Sequence, residues 1–246
     1  MNDEWIIGRH PVAEAIRSGR EINKVWLNKE GRGMGPLLDL VKANGISVQF
    51  VPRKKLDQLT RSGRHQGVVA SVAAYRYSGI ADLFNLAKAR GEVPFFMMLD
   101  NVEDPHNVGS VLRTADASGC HGVIISKRRS PGLTPVVAKA STGAIEHVPV
   151  VRVANLAAAM DELKKEGLWF AGTAADGSED YRSADYSIPV CLVIGNEGRG
   201  MSRLVREKCD FLIRIPMKGA VPSLNASVAA GLLMYEVLRQ RDRQQG

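Results

Sequence analysis

Five short runs of unbroken apolar character, PFFMMLD, GVIIS, WFAGTA, PVCLVIG and FLIRIP, recur between Pro94 and Pro216. A strand that alternates apolar and polar residues keeps one face in water, whereas a run without alternation must be covered on both faces. Helical patterns stand between the runs: NVGSVLRTADASG, TPVVAKASTG, NLAAAMDELKKEG, MSRLVREKC and a long C-terminal stretch. Alternating helices and doubly covered strands predict a layered α/β domain with a mainly parallel sheet. Ligands of such sheets sit beyond the carboxyl ends of the strands. The loops that follow the runs are therefore where function is expected.

Ahead of Pro94 the strand signals are KVWL, ISVQFV and GVVASVAAY, separated by helical HPVAEAIRSG, GPLLDLVKANG and PRKKLDQLTRSG. Pro11 near the start and Gly19 at the end delimit the first helix. A small α/β domain is expected over residues 1–76, then a linker with a short helix over 77–93, then the larger domain over 94–246. Charge divides along the same line. Residues 1–76 carry 13 Lys and Arg against 7 Asp and Glu, while residues 77–246 carry 20 against 19. A basic module beside a near-neutral one suits a polyanion such as RNA, although a basic surface also serves solubility alone. No run of 18 apolar residues occurs, and MNDEWIIGRHPV has neither the basic start nor the apolar core of a signal peptide. A cytoplasmic protein without a membrane partner is expected. Cys120, Cys191 and Cys209 show no CxxC or Cys/His spacing, and His10, His121 and His147 no ligand spacing, so reduced thiols and no metal are expected.

Three loops follow the apolar runs. In LDNVEDPHNVGSVLRTADASG, Asp104–Pro105 makes a turn, Asn107 suits a helix N-cap, and Gly109 and Ser110 keep the first turn small. Arg113 follows two turns in, a pattern that a capped helix with an exposed Arg would also give. In VIGNEGRGMS the glycines Gly195, Gly198 and Gly200 leave backbone amides bare, and Glu197 between them has no packing reason to be there. In IPMKGAVPSLNASVAAG, Ser223, Leu224 and Asn225 enter a helix whose first turns carry almost no bulk, so a ligand or another chain segment can come close.

Together and in this order, Asn107-x-Gly109 with Arg113, Gly195-x-Glu197-x-x-Gly200, and Ile215 to Ala229 resemble the three motifs of the SpoU (TrmH-like) RNA ribose 2′-O-methyltransferases of the SPOUT superfamily. GRHPVAEAI from Gly8 and HQGVVA from His65 resemble the substrate-binding domain that many members carry. Among subfamilies the chain is most similar to the bacterial 23S rRNA (guanosine-2′-O-)-methyltransferases. The resemblance implies a SPOUT domain knotted as a trefoil, a homodimer, and S-adenosyl-L-methionine held within the knot. Gly195, Ile215 and Leu224 would hold that cofactor, with Thr173, Met217 and Ser223 as neighbours.

The resemblance also implies chemistry. A ribose 2′-hydroxyl is a poor nucleophile and a sulfonium methyl a good electrophile, so the tasks are in-line alignment and easing loss of the hydroxyl proton. Arg113 stays protonated and would orient the ribose and a phosphate and stabilise the developing alkoxide. Glu197 would hold Arg113 or Asn107 in place, and Asn225 would bond the ribose or the cofactor. Arg9, Arg53, Lys54, Lys55, Arg61 and Arg64 are candidates for RNA phosphate contacts, though RKK also suits a solvated helix face. Two rival classes are a tRNA-directed methyltransferase and a non-catalytic RNA-binding assembly factor; the latter would tolerate degraded cofactor loops, whereas Arg113, Glu197 and Asn225 are all present. A nucleotide-dependent oxidoreductase would need the G-x-G-x-x-G order that is lacking.

Overall fold

The computed structural model describes residues 5–17, 19–28, 31, 33–60, 65–72 and 75–245. They divide into two compact units, Met1–Arg76 with Gly132–Pro135, and Tyr77–Pro131 with Val136–Gly246.

The first unit runs β1 (Trp5–Ile7), α1 (Arg9–Arg17), β2 (Ile22–Asn28), α2 (Gly35–Ala43), β3 (Ser47–Val51), α3 (Arg53–Thr60) and β4 (Val68–Val72). Its sheet has the order β1-β4-β2-β3, with β2 and β3 parallel and the other pairs antiparallel. Side chains alternate across a strand, and both faces of this sheet are used. Val25, Leu27, Val68 and Ala70 point into a core with Val12 and Ile16 of α1 and Leu37 and Val41 of α2. Their neighbours Trp26 and Val69 turn the other way, onto Leu56 of α3. The strand β1 completes that side, with Trp5 and Trp26 rings 5.3 Å apart.

The second unit begins with α4 (Ile80–Arg90). The short helix expected in the segment 77–93 is this one, and it is packed: Leu83 lies inside the core of the second unit with Phe96, Met98, Met160, Phe170 and Val193. Then follow β5 (Phe95–Leu99), α5 (Pro105–Ala117), β6 (Gly122–Ser126), α6 (Pro135–Ser141), a 3-10 turn at Ala144–Glu146, β7 (Val150–Val153), α7 (Leu156–Lys165), β8 (Trp169–Thr173), β9 (Glu179–Asp180), β10 (Val190–Ile194), α8 (Arg203–Glu207), β11 (Phe211–Arg214) and α9 (Ala226–Gln245). No described helix is long and apolar enough to cross a membrane.

All pairings in this seven-stranded sheet are parallel, in the order β7-β6-β5-β10-β8-β11-β9. From β5 the chain builds outward through β6 to β7, crosses to β8, and later returns to lay β10 between β5 and β8. This reversal brings the carboxyl ends of β5, β10 and β8 side by side, the place where open α/β sheets bind ligands. Cys120 and Cys191 lie in this unit's interior. Burial pushes the Cys120 thiol up to about 12 and Cys191 well above its usual value, so neither is a nucleophile at neutral pH.

Candidate active site

At the carboxyl ends of β8, β10 and β11 the sheet opens into a cleft of about 650 Å³. Thr173, Gly195, Ile215, Met217, Ser223 and Leu224 all line it, as does Glu197. Its walls are mostly apolar side chains and bare loop backbone. The Thr173 hydroxyl donates to the Val193 carbonyl at 2.9 Å, fixing the side chain at the cleft edge. From Pro216 to Leu224 no backbone N–H or C=O bonds to another described residue, although this stretch forms one side of the cleft. Unpaired backbone groups next to an apolar wall are what a ligand with both a flat ring and polar edges needs. Gly195, besides lining the cleft, meets a packing demand. A Cβ there would lie 2.3 Å from the carbonyl carbon of Gly200 and the nitrogen of Met201, so its bareness admits the loop's own return strand. Asn196 and Gly200 close that return with reciprocal backbone hydrogen bonds.

The three loops are joined by one chain of hydrogen bonds. The Asn107 amide nitrogen donates to Glu197 Oε1 at 2.5 Å, and the Asn225 amide nitrogen donates to Asn107 Oδ1 at 2.9 Å. Glu197 Oε1 also accepts from the Ala226 backbone N–H at 3.3 Å. Asn225 Oδ1 accepts from Ser227 N and Val228 N, so Asn225 is the cap of α9. Its oxygen and one N–H thus serve the protein, and the second N–H of the amide has no partner among the described residues. The expected N-cap at Asn107 is corrected. Asp104 caps α5 by accepting from His106 N, and Pro105 takes the first helical position. Asn107, buried in the first turn, is left to bridge the other two loops. Of the two partners expected for Glu197, it holds Asn107 and not Arg113. Gly109 serves packing: its missing Cβ would sit 2.4 Å from the Ala140 Cβ and 2.7 Å from the Val137 carbonyl of α6.

A second group supports the cleft and escaped sequence reasoning. Asp100, buried at the end of β5, accepts from Ser202 N at 2.6 Å and from the Asn101 amide at 2.9 Å. Asn196 donates to the Asn101 carbonyl and accepts from Gly198 N and Arg199 N, shaping the loop that carries Glu197. The available signal was a carboxylate closing an otherwise apolar run, since a buried charge needs donors nearby.

Arg113 lies exposed on α5, outside the cleft lining, and makes no hydrogen bond or ion pair to another described residue. In the first unit, Arg9 and Arg53 line a common pocket, and Lys54 and Lys55 are exposed on α3. Arg61 and Arg64 lie outside the described residues.

Comparison with known proteins identifies this arrangement. The SpoU rRNA Methylase family matches residues 94–235, and the RNA 2′-O ribose methyltransferase substrate-binding family matches residues 5–78. A Bacillus subtilis (strain 168) protein carrying the name TrmH family tRNA/rRNA methyltransferase YacO is 56% identical over 97% of this chain and 96% of its own. Among solved structures, the SpoU methyltransferase AviRb from Streptomyces viridochromogenes in complex with AdoMet superposes with a TM-score of 0.62 at 27% identity, covering 98% of this chain and 91% of that one. A structure described as giving insight into the 2-OH methylation of C/U34 on tRNA has a TM-score of 0.56 at 30% identity, covering 61% of this chain and 97% of that one. With both family matches in place and a relative of this identity along nearly its whole length, the chain belongs to the SpoU family of S-adenosylmethionine-dependent RNA methyltransferases.

Proposed function

We propose that the protein methylates a ribose 2′-hydroxyl, that of a guanosine in 23S rRNA, and does so as a homodimer. The observation that carries the reading is the hydrogen-bonded joining of α5, the Glu197 loop and α9 beside a cleft whose loop backbone is unpaired. S-adenosylmethionine fits this cleft: Ile215, Met217 and Leu224 offer apolar contact for its adenine, and the free backbone groups of Pro216–Leu224 offer donors and acceptors for its polar edges. When bound, it supplies a methyl carbon that forms a bond to the ribose oxygen as its bond to sulfur breaks, the electron pair staying on sulfur.

The chain's own residues do the rest. Asn107, Glu197 and Asn225 keep the three loops in register, so that nucleophile and methyl meet in line. Arg113 has its donors free among the described residues and would hold the ribose and its phosphate while stabilising the alkoxide as the hydroxyl proton leaves. Lys54 and Lys55, with Arg9 and Arg53, would contact RNA phosphates. One feature supports the assembly. Val228, Leu232 and Tyr235 are exposed on α9 at helical spacing, an apolar stripe suited to a second copy. The trefoil knot belongs to the same proposal, since the chain beyond β11 returns to α5 through Asn225 after β10 has been laid between β5 and β8.

A tRNA target is the second reading, favoured by the tRNA/rRNA name of the Bacillus relative and the neighbour concerned with tRNA. The experiment is labelled methyl transfer into unmodified 23S rRNA and into tRNA, mapped by 2′-O-methyl-sensitive primer extension. A single stop at one 23S guanosine, lost in Arg113→Ala, is expected; labelled tRNA with silent rRNA would replace the first reading by the second. Arg113→Lys retaining most of the turnover would remove the role assigned to the forked guanidinium.

A further inference from the structure

The first unit contains a pocket of about 460 Å³, separate from the cleft of the second unit. Met34, Gly31 and Gly67 line it beside the side chains of Arg9 and Arg53. A Cβ on either Gly31 or Gly67 would come within 2.7 Å of the Met34 methyl, so both positions must lack one for the methyl to sit where it does. Gly67 also has φ +79° and follows Gln66 at φ +50°, a turn that few residues other than glycine enter. That turn aims the Gln66 carbonyl at Arg9, whose Nε donates to it at 3.2 Å, while Arg9 Nη1 reaches the Gly33 carbonyl at 3.5 Å. Two carbonyls thus hold the guanidinium by part of its fork and leave its remaining N–H groups for a ligand.

Arg53, the first residue of α3, lines the same pocket and makes no hydrogen bond or ion pair to another described residue. His10, Asn28 and Gln66 also line it, and no carboxylate is among the described residues that do. Two guanidiniums without a counter-charge call for an anion, and the fork geometry favours phosphate. Methionine packed against two glycines leaves room for the face of a ring. The Gln66 amide nitrogen at the edge suits the hydrogen-bonding edge of an unstacked base. We propose that this pocket takes one unpaired nucleotide of the RNA substrate, its base on Met34 and its phosphate between Arg9 and Arg53. The inference rests on the RNA-methylating reading above and adds to it a place where single-stranded structure is recognised.

The test uses the full chain and a fluorescein-labelled single-stranded 12-nucleotide RNA carrying one 4-thiouridine. Anisotropy across a KCl series is expected to show about a tenfold loss of affinity in Arg53→Ala, and a salt slope reduced by about one phosphate. Arg53→Lys should restore the slope and only part of the affinity. Photocrosslinking should map the thiouridine to the peptide that contains Met34, weakly in Arg53→Ala. Binding of S-adenosylmethionine to each variant reports that the other unit is intact. Unchanged affinity in Arg53→Ala, or a crosslink elsewhere, would overturn the pocket. So would a blunt RNA duplex that competes as well as the single strand, or uridine monophosphate that displaces it at equal concentration, which would mark a free-nucleotide site. Methyl transfer to RNA by the wild type, run on the same preparation, separates the two claims: methylation without an Arg53 effect removes the pocket and leaves the enzymatic reading standing.

Discussion

Asn107 reaches 90 residues forward to Glu197 and 118 residues forward to Asn225, and both ends of its amide are needed. Glu197 accepts from the NH2 group, and Asn225 donates to the oxygen. Replacing the amide by a carboxylate keeps the shape and reverses one half of this pattern. Asn107→Asp would set two carboxylates against each other where a donor met an acceptor. The variant should therefore be less stable than wild type at neutral pH by about 1–3 kcal/mol. Urea unfolding of the two proteins measures this, and an unchanged midpoint would show that Asn107 and Glu197 do not interact as described. The residue types of this network were legible in the sequence through their resemblance to the three family motifs. Their connections were not. An Asn followed by small residues at a helix start looks like a cap, and only the fold shows that Asp104 has taken that role.

At the scale of elements, the apolar runs announced β5, β6, β8, β10 and β11, whose core positions need no alternation. Three strands gave no comparable signal. β1 has three residues, β9 has two and both are polar, and β7 buries only its first two positions at a sheet edge. The order of strands was equally silent, because laying β10 between β5 and β8 depends on crossovers and not on local pattern. The small residues of α5 and α9 were visible, but their partners were not. Gly109 is pressed against α6, and Ala226 and Ala229 border the cleft. Gly109→Ala should push α5 from α6 at a cost of about 1–3 kcal/mol. The same displacement carries Asn107, two residues earlier, and should lower methyl transfer more than S-adenosylmethionine affinity. Calorimetric titration beside a transfer assay tests this; a fully active, equally stable variant would mean that the two helices move apart freely.

For the molecule as a whole, division of labour between a basic unit and a neutral one was readable from charge, and the second unit's stability carries a pH signature that was not. His121, buried before β6, accepts the Phe95 N–H on Nδ1 and contacts Glu92 through Nε2 at 2.8 Å. Burial lowers its pKa below the ordinary 6.5, with the Glu92 contact opposing in part. The folded protein therefore holds this imidazole neutral where the unfolded chain already binds a proton. Its contribution to stability is complete above about pH 6.5 and is lost as pH falls through the lowered folded value. Thermal unfolding followed from pH 7.5 to 5 should show a falling midpoint, with the slope reduced in His121→Gln; identical slopes would show that another group titrates.

The central claim is that the Asn107–Glu197–Asn225 network builds a site that methylates a ribose oxygen. Its most direct measurement is digestion to nucleosides of RNA incubated with methyl-labelled S-adenosylmethionine, for the wild type and Glu197→Ala. The account predicts label in a 2′-O-methylated nucleoside, falling at least about tenfold in the variant as alignment is lost. Label on a base, or a variant as active as the wild type, would contradict it.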